Sequence, residues 1–271
     1  MLKRSKVLNL FMMLFCVFIL VACSSSSKEE VQVSGSTDSK SGETSKKLIV
    51  GTDTSYMPFE FLDNKTGEYV GFDIELIDAI LSGLEIEYEL EPMDFNGIIP
   101  ALQTNGIDLA IAGITKTEER AQVIDFSEGY YDAGTQILVQ IDNEDINNLE
   151  DLTDKVVATK QGTASFEIVK EIEGIKKVVP FPNIDQAYME LEKGAADAVV
   201  FDSPNVQYYA QTVGAGKAKV VGEVFEAQEF AIAFPKGSEL KAKVDEQLAK
   251  LVEDGTYDEI YTKWFGEAPN K

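Results

Sequence analysis

The distribution of hydrophobic and polar positions divides the chain into three parts. The first contains an unbroken apolar run from Leu10 to Ala22, and the second, 24–47, is rich in Ser and almost free of apolar residues. From Leu48 onward, short apolar runs alternate with stretches in which apolar residues recur at helical spacing. This alternation predicts an α/β architecture for the third part.

The beginning of the third part shows the pattern most clearly. Residues 48–50 predict a strand, and Asp73 is expected to cap a helix that continues to Leu84, with Gly83 weakening its end. The alternating segment 86–90 predicts a half-buried strand.

Two later segments share one layout of helix, glycine, aspartate and strand. The first covers 98–112 and the second covers 184–201, and each strand is followed directly by polar or glycine positions. The layout predicts two similar lobes with ligand-facing groups at the carboxyl ends of strands, where open α/β sheets bind ligands. Helix-turn-strand units also occur in every α/β protein, so the repeat by itself does not decide between these interpretations.

The composition excludes several classes of chemistry. The 271 residues include no His and two Cys, and they carry a formal net charge of −23. Without an imidazole there is no His base, no His-dependent nucleophile and no His-ligated metal, so catalysis would have to use carboxylates, Lys or Tyr. The acidic excess argues against a nucleic-acid partner.

The amino terminus predicts export and anchoring. A 13-residue apolar run follows three cationic residues, which is too short for a membrane span and typical of a signal peptide over 1–22. The segment Leu20-Val21-Ala22-Cys23 resembles a bacterial lipobox, so we expect Cys23 to be acylated and 23–47 to form a flexible tether. The alternative is an ordinary signal peptide that Cys23 merely follows. The expected location is extracytoplasmic, on the outer face of the bacterial cell membrane.

Two segments of the third part are candidates for binding an anion. Residues 160–165 follow a strand and open a helix, so their backbone N–H groups could face an anion, or they could form an ordinary turn with Ser165 as the helix cap. Arg120 follows two threonines at the end of a strand and could grip a carboxylate through two parallel hydrogen bonds. A solvated Arg paired with a neighbouring Glu is the more common arrangement.

Several segments resemble a known family along the whole third part, from about Leu48 to Gly266. The resemblance is carried mainly by GTDTSYMPFEF (51–61), MDFNGIIP (93–100), AGITKTEER (112–120) and KWFG (263–266). These segments are similar to those of the polar-amino-acid solute-binding proteins of ABC importers, and most similar to the glutamine-binding members.

The resemblance implies a type II periplasmic-binding-protein fold, in which two α/β lobes close on a ligand. By position, lobe 1 would comprise 48–129 and 231–271, and lobe 2 would comprise 135–225. Two crossing hinge segments would fall at 130–134 and 226–230.

The resemblance also implies how the backbone groups of a free amino acid would be held. Arg120 matches the arginine that clamps the α-carboxylate, helped by Thr115 and by the backbone N–H of Ala164. Asp202 matches the carboxylate that accepts from the α-ammonium, together with Thr115 and the carbonyl of Gly113. Pairing both charges of the zwitterion makes their removal from water tolerable.

The remaining matched positions concern the ligand side chain. Tyr56 and Phe95 match an aromatic pair that sandwiches its aliphatic part, and Asp53 and Lys160 match the groups that bind a terminal carboxamide. Asp53 would repel a glutamate side chain unless one carboxylate were protonated. Three positions depart from the glutamine-binding pattern: Tyr56 stands in place of Phe, Ala164 in place of Gly, and Phe201 in place of His.

These residues predict a monomeric, lipid-anchored receptor that performs no chemistry, needs no cofactor or metal, and delivers glutamine to an ABC importer permease. Three alternatives remain at this point. They are a broader receptor for polar or acidic amino acids, a carboxylate-using dehydratase on the same fold, and a sensor or adhesin, which would need a further domain that this sequence does not contain.

Overall fold

The computed structural model describes residues 47–269. The predicted signal peptide, Cys23 and nearly all of the predicted tether lie outside the described residues. The strands are β1 (Leu48–Thr52), β2 (Ser55–Tyr56), β3 (Glu60–Asp63), β4 (Glu68–Val70), β5 (Tyr88–Pro92), β6 (Leu109–Ala110), β7 (Ile124–Gln140), β8 (Val156–Lys160), β9 (Lys177–Phe181), β10 (Ala198–Asp202) and β11 (Ala218–Pro235).

Helices connect most of these strands. The α-helices are α1 (Phe72–Gly83), α2 (Phe95–Gln103), α3 (Glu118–Ala121), α4 (Ala164–Glu171), α5 (Ile184–Glu192), α6 (Ser203–Gln211), α7 (Leu240–Asp254) and α8 (Thr256–Phe265), with a short 3-10 helix at Glu150–Leu152. Among residues 47–269, no helix combines the length and the apolar character needed to cross a bilayer.

Eight of the strands form one mixed sheet in the order β5-β1-β6-β11-β7-β10-β8-β9. At one end β5, β1 and β6 are parallel, and at the other end β10, β8 and β9 are parallel, while β7 and β11 run antiparallel between them. We call the end containing β5, β1 and β6 lobe 1 and the end containing β10, β8 and β9 lobe 2. This two-lobed α/β arrangement confirms the predicted fold class.

The two central strands are long because each extends from one lobe into the other. The predicted crossing segments 130–134 and 226–230 lie inside them, where Gln228 pairs with Ala133 and Phe230 pairs with Tyr131. The register of this pairing shifts four times between Val221 and Ala233. Irregular pairing of this kind bends and twists a strand pair, so these segments are the part of the sheet best suited to flex.

An aromatic cluster anchors lobe 1 beside this crossing. Phe59 lies fully buried with its ring centroid 4.9 Å from that of Tyr131 and 5.5 Å from that of Phe230. Phe72 and Phe265 pack on the same group at centroid distances of 5.3 Å to 6.0 Å. These edge-to-face and tilted contacts join the turn before β3, α1, α8 and both central strands in one core.

Local elements follow the sequence pattern with three corrections. The predicted helix at 184–192 is confirmed, whereas the predicted strand at 86–90 begins instead at Tyr88, because the backbone N–H of Ile86 still bonds to Leu81 in the turn that ends α1. Asp73 does not cap α1, since Gly71 occupies the cap position and the Asp73 carboxylate faces inward.

The third correction concerns the cap of α4. Thr163, not Ser165, is the N-cap, and its hydroxyl accepts from the backbone N–H of Phe166 at 3.2 Å. Ser165 is therefore available for a contact elsewhere.

Candidate functional site

Polar side chains converge where the parallel strands of the two lobes end. Asp53 directly follows β1, and Thr115 follows β6 after a short turn. From the other lobe, Lys160 ends β8 and Asp202 ends β10. The carboxyl ends of parallel strands are where an open α/β sheet binds ligands, so this meeting point is the candidate site.

A small cavity lies at this point. It is lined by Asp53, Tyr56, Phe95, Ala112, Gly113, Thr115, Lys160, Thr163, Ala164, Phe201 and Asp202. Nine of the ten residues predicted from the sequence are therefore brought together around one space. The cavity encloses about 10 Å³, which is the room that a single water molecule needs.

Arg120, the tenth predicted residue, lies beside this cavity. Its guanidinium donates to the carbonyl of Thr115 at 2.7 Å and to the carbonyl of Gly162 at 3.0 Å, and it lies 5.6 Å from the ring centroid of Phe95. Arg120 lines an adjoining open cleft of about 970 Å³, which shares Thr115, Thr163 and Ala164 with the cavity. Burial lowers the pKa of Arg120, while the negative charge of Asp202 opposes that shift.

An ion pair between Asp53 and Lys160 joins the two lobes. The Lys160 ammonium donates to Asp53 Oδ2, and the two side chains are only 2% and 3% exposed. The ammonium also lies 5.4 Å from the ring centroid of Phe95 and 5.9 Å from that of Tyr56. The two rings therefore flank the space in front of a buried pair whose charges sum to zero.

Asp202 forms a second contact between the lobes. Its Oδ2 accepts from the hydroxyl of Tyr56 at 2.8 Å, and its Oδ1 accepts from the hydroxyl of Ser165 at 2.6 Å. Burial raises the pKa of Asp202, and these two donors together with the charges of Lys160 and Arg120 oppose the rise. The hydroxyl that distinguishes Tyr56 from the expected Phe thus has a defined partner.

The hydroxyl of Thr115 is oriented by the crossing strands. It donates to Gln228 Oε1 at 2.7 Å, and Gln228 Nε2 in turn donates to the hydroxyl of Thr135 at 2.7 Å. Because its proton is engaged, the Thr115 oxygen presents its lone pairs to the cavity and can accept from a cationic group.

Two glycines allow the walls of the site to approach closely. Gly113 has φ of +53°, and a Cβ there would lie 2.2 Å from the ring of Tyr56. Gly162 has φ of +78°, and a Cβ there would lie 3.0 Å from Asn96 in the opposite lobe. A side chain at either position would displace a wall of the cavity or keep the lobes apart.

The structure adds polar residues that the sequence interpretation did not assign to the site. The sequence assigns no side-chain role in the site to Ser165, which falls in the candidate anion-binding segment or caps a helix, and it places Gln228 only in a hinge. Asn205 donates to the carbonyl of Met57 in the other lobe at 2.5 Å. The sequence signal for Gln228 is a polar side chain within a strand that becomes apolar from Phe230 onward, but its partner Thr115 lies 113 positions away.

Comparison with known proteins identifies the family of this chain. The model of the bacterial extracellular solute-binding proteins, family 3, matches residues 48–267. The chain belongs to this family. It is an amino-acid-binding solute-binding protein of ABC transport.

Three proteins that are similar to this solute-binding protein differ in the ligands that their names state. The arginine-binding extracellular protein ArtP of Bacillus subtilis is 34% identical over 92% of this chain and 93% of its own length. The ABC transporter glutamine-binding protein GlnH of the same organism is 32% identical over 94% and 95%. A solved structure of an ancestral arginine-binding protein bound to glutamine superposes with a TM-score of 0.78 at 45% identity, covering 82% of this chain and 98% of that one.

The buried ion pair of this solute-binding protein generates a prediction about stability. Lys160→Met leaves Asp53 buried without its cation, so we expect a loss of about 3–5 kcal/mol in the free energy of unfolding. The double variant Asp53→Asn/Lys160→Met contains no unpaired buried charge and should recover about 1–3 kcal/mol relative to the sum of the single changes. Chemical denaturation of the four proteins measures this coupling.

The matched control is Lys170→Met, which removes an exposed ion pair with Glu167 inside lobe 2 and should leave stability unchanged. Additive effects of the Asp53 and Lys160 substitutions would contradict the cross-lobe pair.

Proposed function

We propose that this protein captures free glutamine outside the cytoplasm and presents it to the permease of an ABC importer. The observation that carries the proposal is the neutral Asp53–Lys160 pair behind two aromatic rings. A carboxamide has a donor end and an acceptor end, and this pair offers a carboxylate to the first and an ammonium to the second.

The charged groups around the cavity support the capture of a zwitterion. Arg120 provides a planar cation at one side, next to the backbone N–H at the start of α4. Asp202, the Gly113 carbonyl and the Thr115 oxygen provide acceptors in the wall of the cavity. In this arrangement the α-carboxylate binds Arg120 and the α-ammonium binds Asp202, so that neither ligand charge is buried unpaired.

The Asp53–Lys160 pair distinguishes ligand side chains by their charge. An arginine guanidinium would be attracted by Asp53 but repelled by Lys160, and a glutamate carboxylate would meet the opposite combination. At an effective dielectric constant of 20, one like-charge contact at 4 Å costs about 4 kcal/mol. One unlike-charge contact at the same distance stabilises by a similar amount. A charged side chain would therefore still lose its hydration, whereas a neutral carboxamide would satisfy both partners.

Phe201 closes the cavity with an apolar wall. It is 1% exposed, and its ring meets that of Tyr56 edge to face at a centroid distance of 5.7 Å. An apolar wall at this position favours the aliphatic part of a ligand side chain. The Phe201 side chain offers no hydrogen bond to the ligand, so selectivity among ligand side chains rests on Asp53 and Lys160.

Arginine is the second candidate ligand. The arginine-binding name of the relative ArtP favours it, as does the free space beside Arg120 in the adjoining cleft. The ancestral arginine-binding protein bound to glutamine supports the view that related sites accept both side chains.

Ligand entry requires the lobes to separate, because an amino acid needs far more room than the cavity of about 10 Å³ offers. We infer that the lobes divide as the sequence predicts and that bending of β7 and β11 at 130–134 and 226–230 opens the site. Contacts from both lobes to one ligand then stabilise the closed arrangement. We also propose acylation of Cys23, with 23–47 as the tether that allows docking to a permease.

Calorimetric titration with glutamine, glutamate, asparagine and arginine tests the ligand. We expect glutamine to bind most tightly and arginine at least about tenfold more weakly, since only the carboxamide satisfies both members of the pair. In Lys160→Met the repulsion is gone, so the preference for glutamine over arginine should shrink. Tighter binding of arginine than of glutamine by the wild-type protein would support the second candidate instead.

The carboxylate clamp is tested by Arg120→Ala. Removing one partner of a hydrogen-bonded charge pair costs about 2–5 kcal/mol, so affinity should fall at least about thirtyfold. Lys116→Ala, which removes an exposed cation that lies 3.4 Å from Glu229, is the matched control and should bind normally. Undiminished affinity of Arg120→Ala in the same titration would disprove the clamp.

A further inference from the structure

Two buried carboxyl groups lie directly behind the ligand site. Glu60 of β3 and Asp73 of α1 are both fully buried. Asp73 Oδ2 accepts from the backbone N–H of Gly113 at 2.9 Å and from the hydroxyl of Tyr130 at 2.7 Å. Asp73 therefore holds the turn that carries Gly113 into the cavity wall.

The other oxygens of this pair have no donor. Among residues 47–269, no N–H or O–H group reaches Asp73 Oδ1 or either carboxyl oxygen of Glu60. The two carboxyl groups lie within hydrogen-bonding reach of each other. Two touching carboxylates cannot both remain ionised in a buried place, and a proton between them would turn mutual repulsion into a hydrogen bond.

The surroundings determine which carboxyl group holds the proton. Asp73 has two donors on Oδ2, and although burial raises its pKa to about 6, it is the better anion. Glu60 has no such donors. Burial first, and then the negative charges of Asp73 and Asp53, raise the pKa of Glu60 well above its ordinary value, while Lys160 opposes the rise.

Titratable or charged groups from outside β3 and α1 also face the pair. They are Asp53 after β1, Tyr56 of β2, Tyr130 of β7, Lys160 of β8 and Tyr257 of α8. The tyrosines have pKa values raised by burial and stay neutral near pH 7. Asp53 and Lys160 neutralise each other, so no net cation is present that would favour ionisation of Glu60.

We propose that Glu60 is neutral, that it donates its proton to Asp73 Oδ1, and that this carboxyl pair positions Gly113 for the ligand. Asp73 then accepts three hydrogen bonds, from Glu60, Tyr130 and Gly113. The part of the inference that concerns the ligand rests on the proposed function, in which the Gly113 carbonyl accepts from the α-ammonium. The protonation of Glu60 does not depend on which amino acid binds.

The shared proton makes stability depend on pH in a defined direction. Glu60 is protonated in the folded protein and ionised when unfolded above its ordinary pKa of about 4.5. A group whose folded pKa is raised stabilises fully below its unfolded pKa, and this stabilisation is lost as the pH rises through the folded pKa. Within that range, one retained proton changes the unfolding equilibrium constant about tenfold per pH unit.

The test compares wild-type protein with Glu60→Gln by chemical denaturation between pH 5 and pH 8 without added amino acid. Gln donates an N–H to Asp73 Oδ1 and needs no proton, so the wild-type unfolding constant should rise with pH by up to about tenfold per unit relative to that of the variant. Glu68→Gln, the same change at an exposed position of the neighbouring strand β4, is the matched control and should follow the wild type. Equal slopes for wild type and Glu60→Gln would overturn the proposal.

Infrared spectroscopy of the wild-type protein provides a readout that depends on no variant. A C=O stretch from a protonated carboxyl group should persist at pH 7, and its absence would overturn the proposal even if Glu60→Gln did not fold.

The positioning role is tested by affinity for the amino acid that the titration panel identifies. Glu60→Gln should bind like the wild type, whereas Glu60→Leu, which has no donor, should bind about tenfold more weakly. Equal affinities of the two variants would remove the positioning role. A preferred ligand other than glutamine would instead count against the proposed function and leave the proton measurements unaffected.

Discussion

The buried ion pair between Asp53 and Lys160 is the interaction on which the arrangement of the two lobes depends. Each charge would be costly to bury alone. The two residues lie at the ends of β1 and β8, which belong to different lobes. Their pairing is therefore favourable only when the lobes are together. It also leaves the end of the cavity polar but without net charge. In the proposed function, this pair therefore links closure of the lobes to the kind of side chain that the site accepts.

Other residues of the site also form contacts between the lobes, at the positions proposed to bind the backbone groups of a ligand. Tyr56 and Asp202 meet across the lobes, and Arg120 reaches the Gly162 carbonyl of the opposite lobe. Each of these cross-lobe contacts uses a group that a bound amino acid would compete for or complement. In the proposed function, ligand and lobes share one set of hydrogen bonds, and bending of the long strands β7 and β11 would assemble or release that set.

Much of this could be predicted from the sequence, because hydrophobic periodicity and the polar residues at strand ends are local signals. They located α5 and the α/β fold, whereas the resemblance to the solute-binding proteins supplied the nine predicted residues that surround the cavity. The periodicity could not place side chains whose partners are distant. Asp73 has the local features of a helix cap, yet its partners are Gly113 and Tyr130, 40 and 57 positions away. The same holds for Ser165, whose hydroxyl bonds to Asp202 and does not cap α4.

In the proposed function, a neutral carboxamide binds to a charge pair contributed by both lobes. A crystal structure of the protein with bound glutamine tests it most directly. We expect the carboxamide NH₂ to contact Asp53 and the carboxamide oxygen to contact Lys160, with the α-carboxylate on Arg120 and the α-ammonium on Asp202. A side chain directed into the cleft beside Arg120, or an α-carboxylate placed on Lys160, would contradict it.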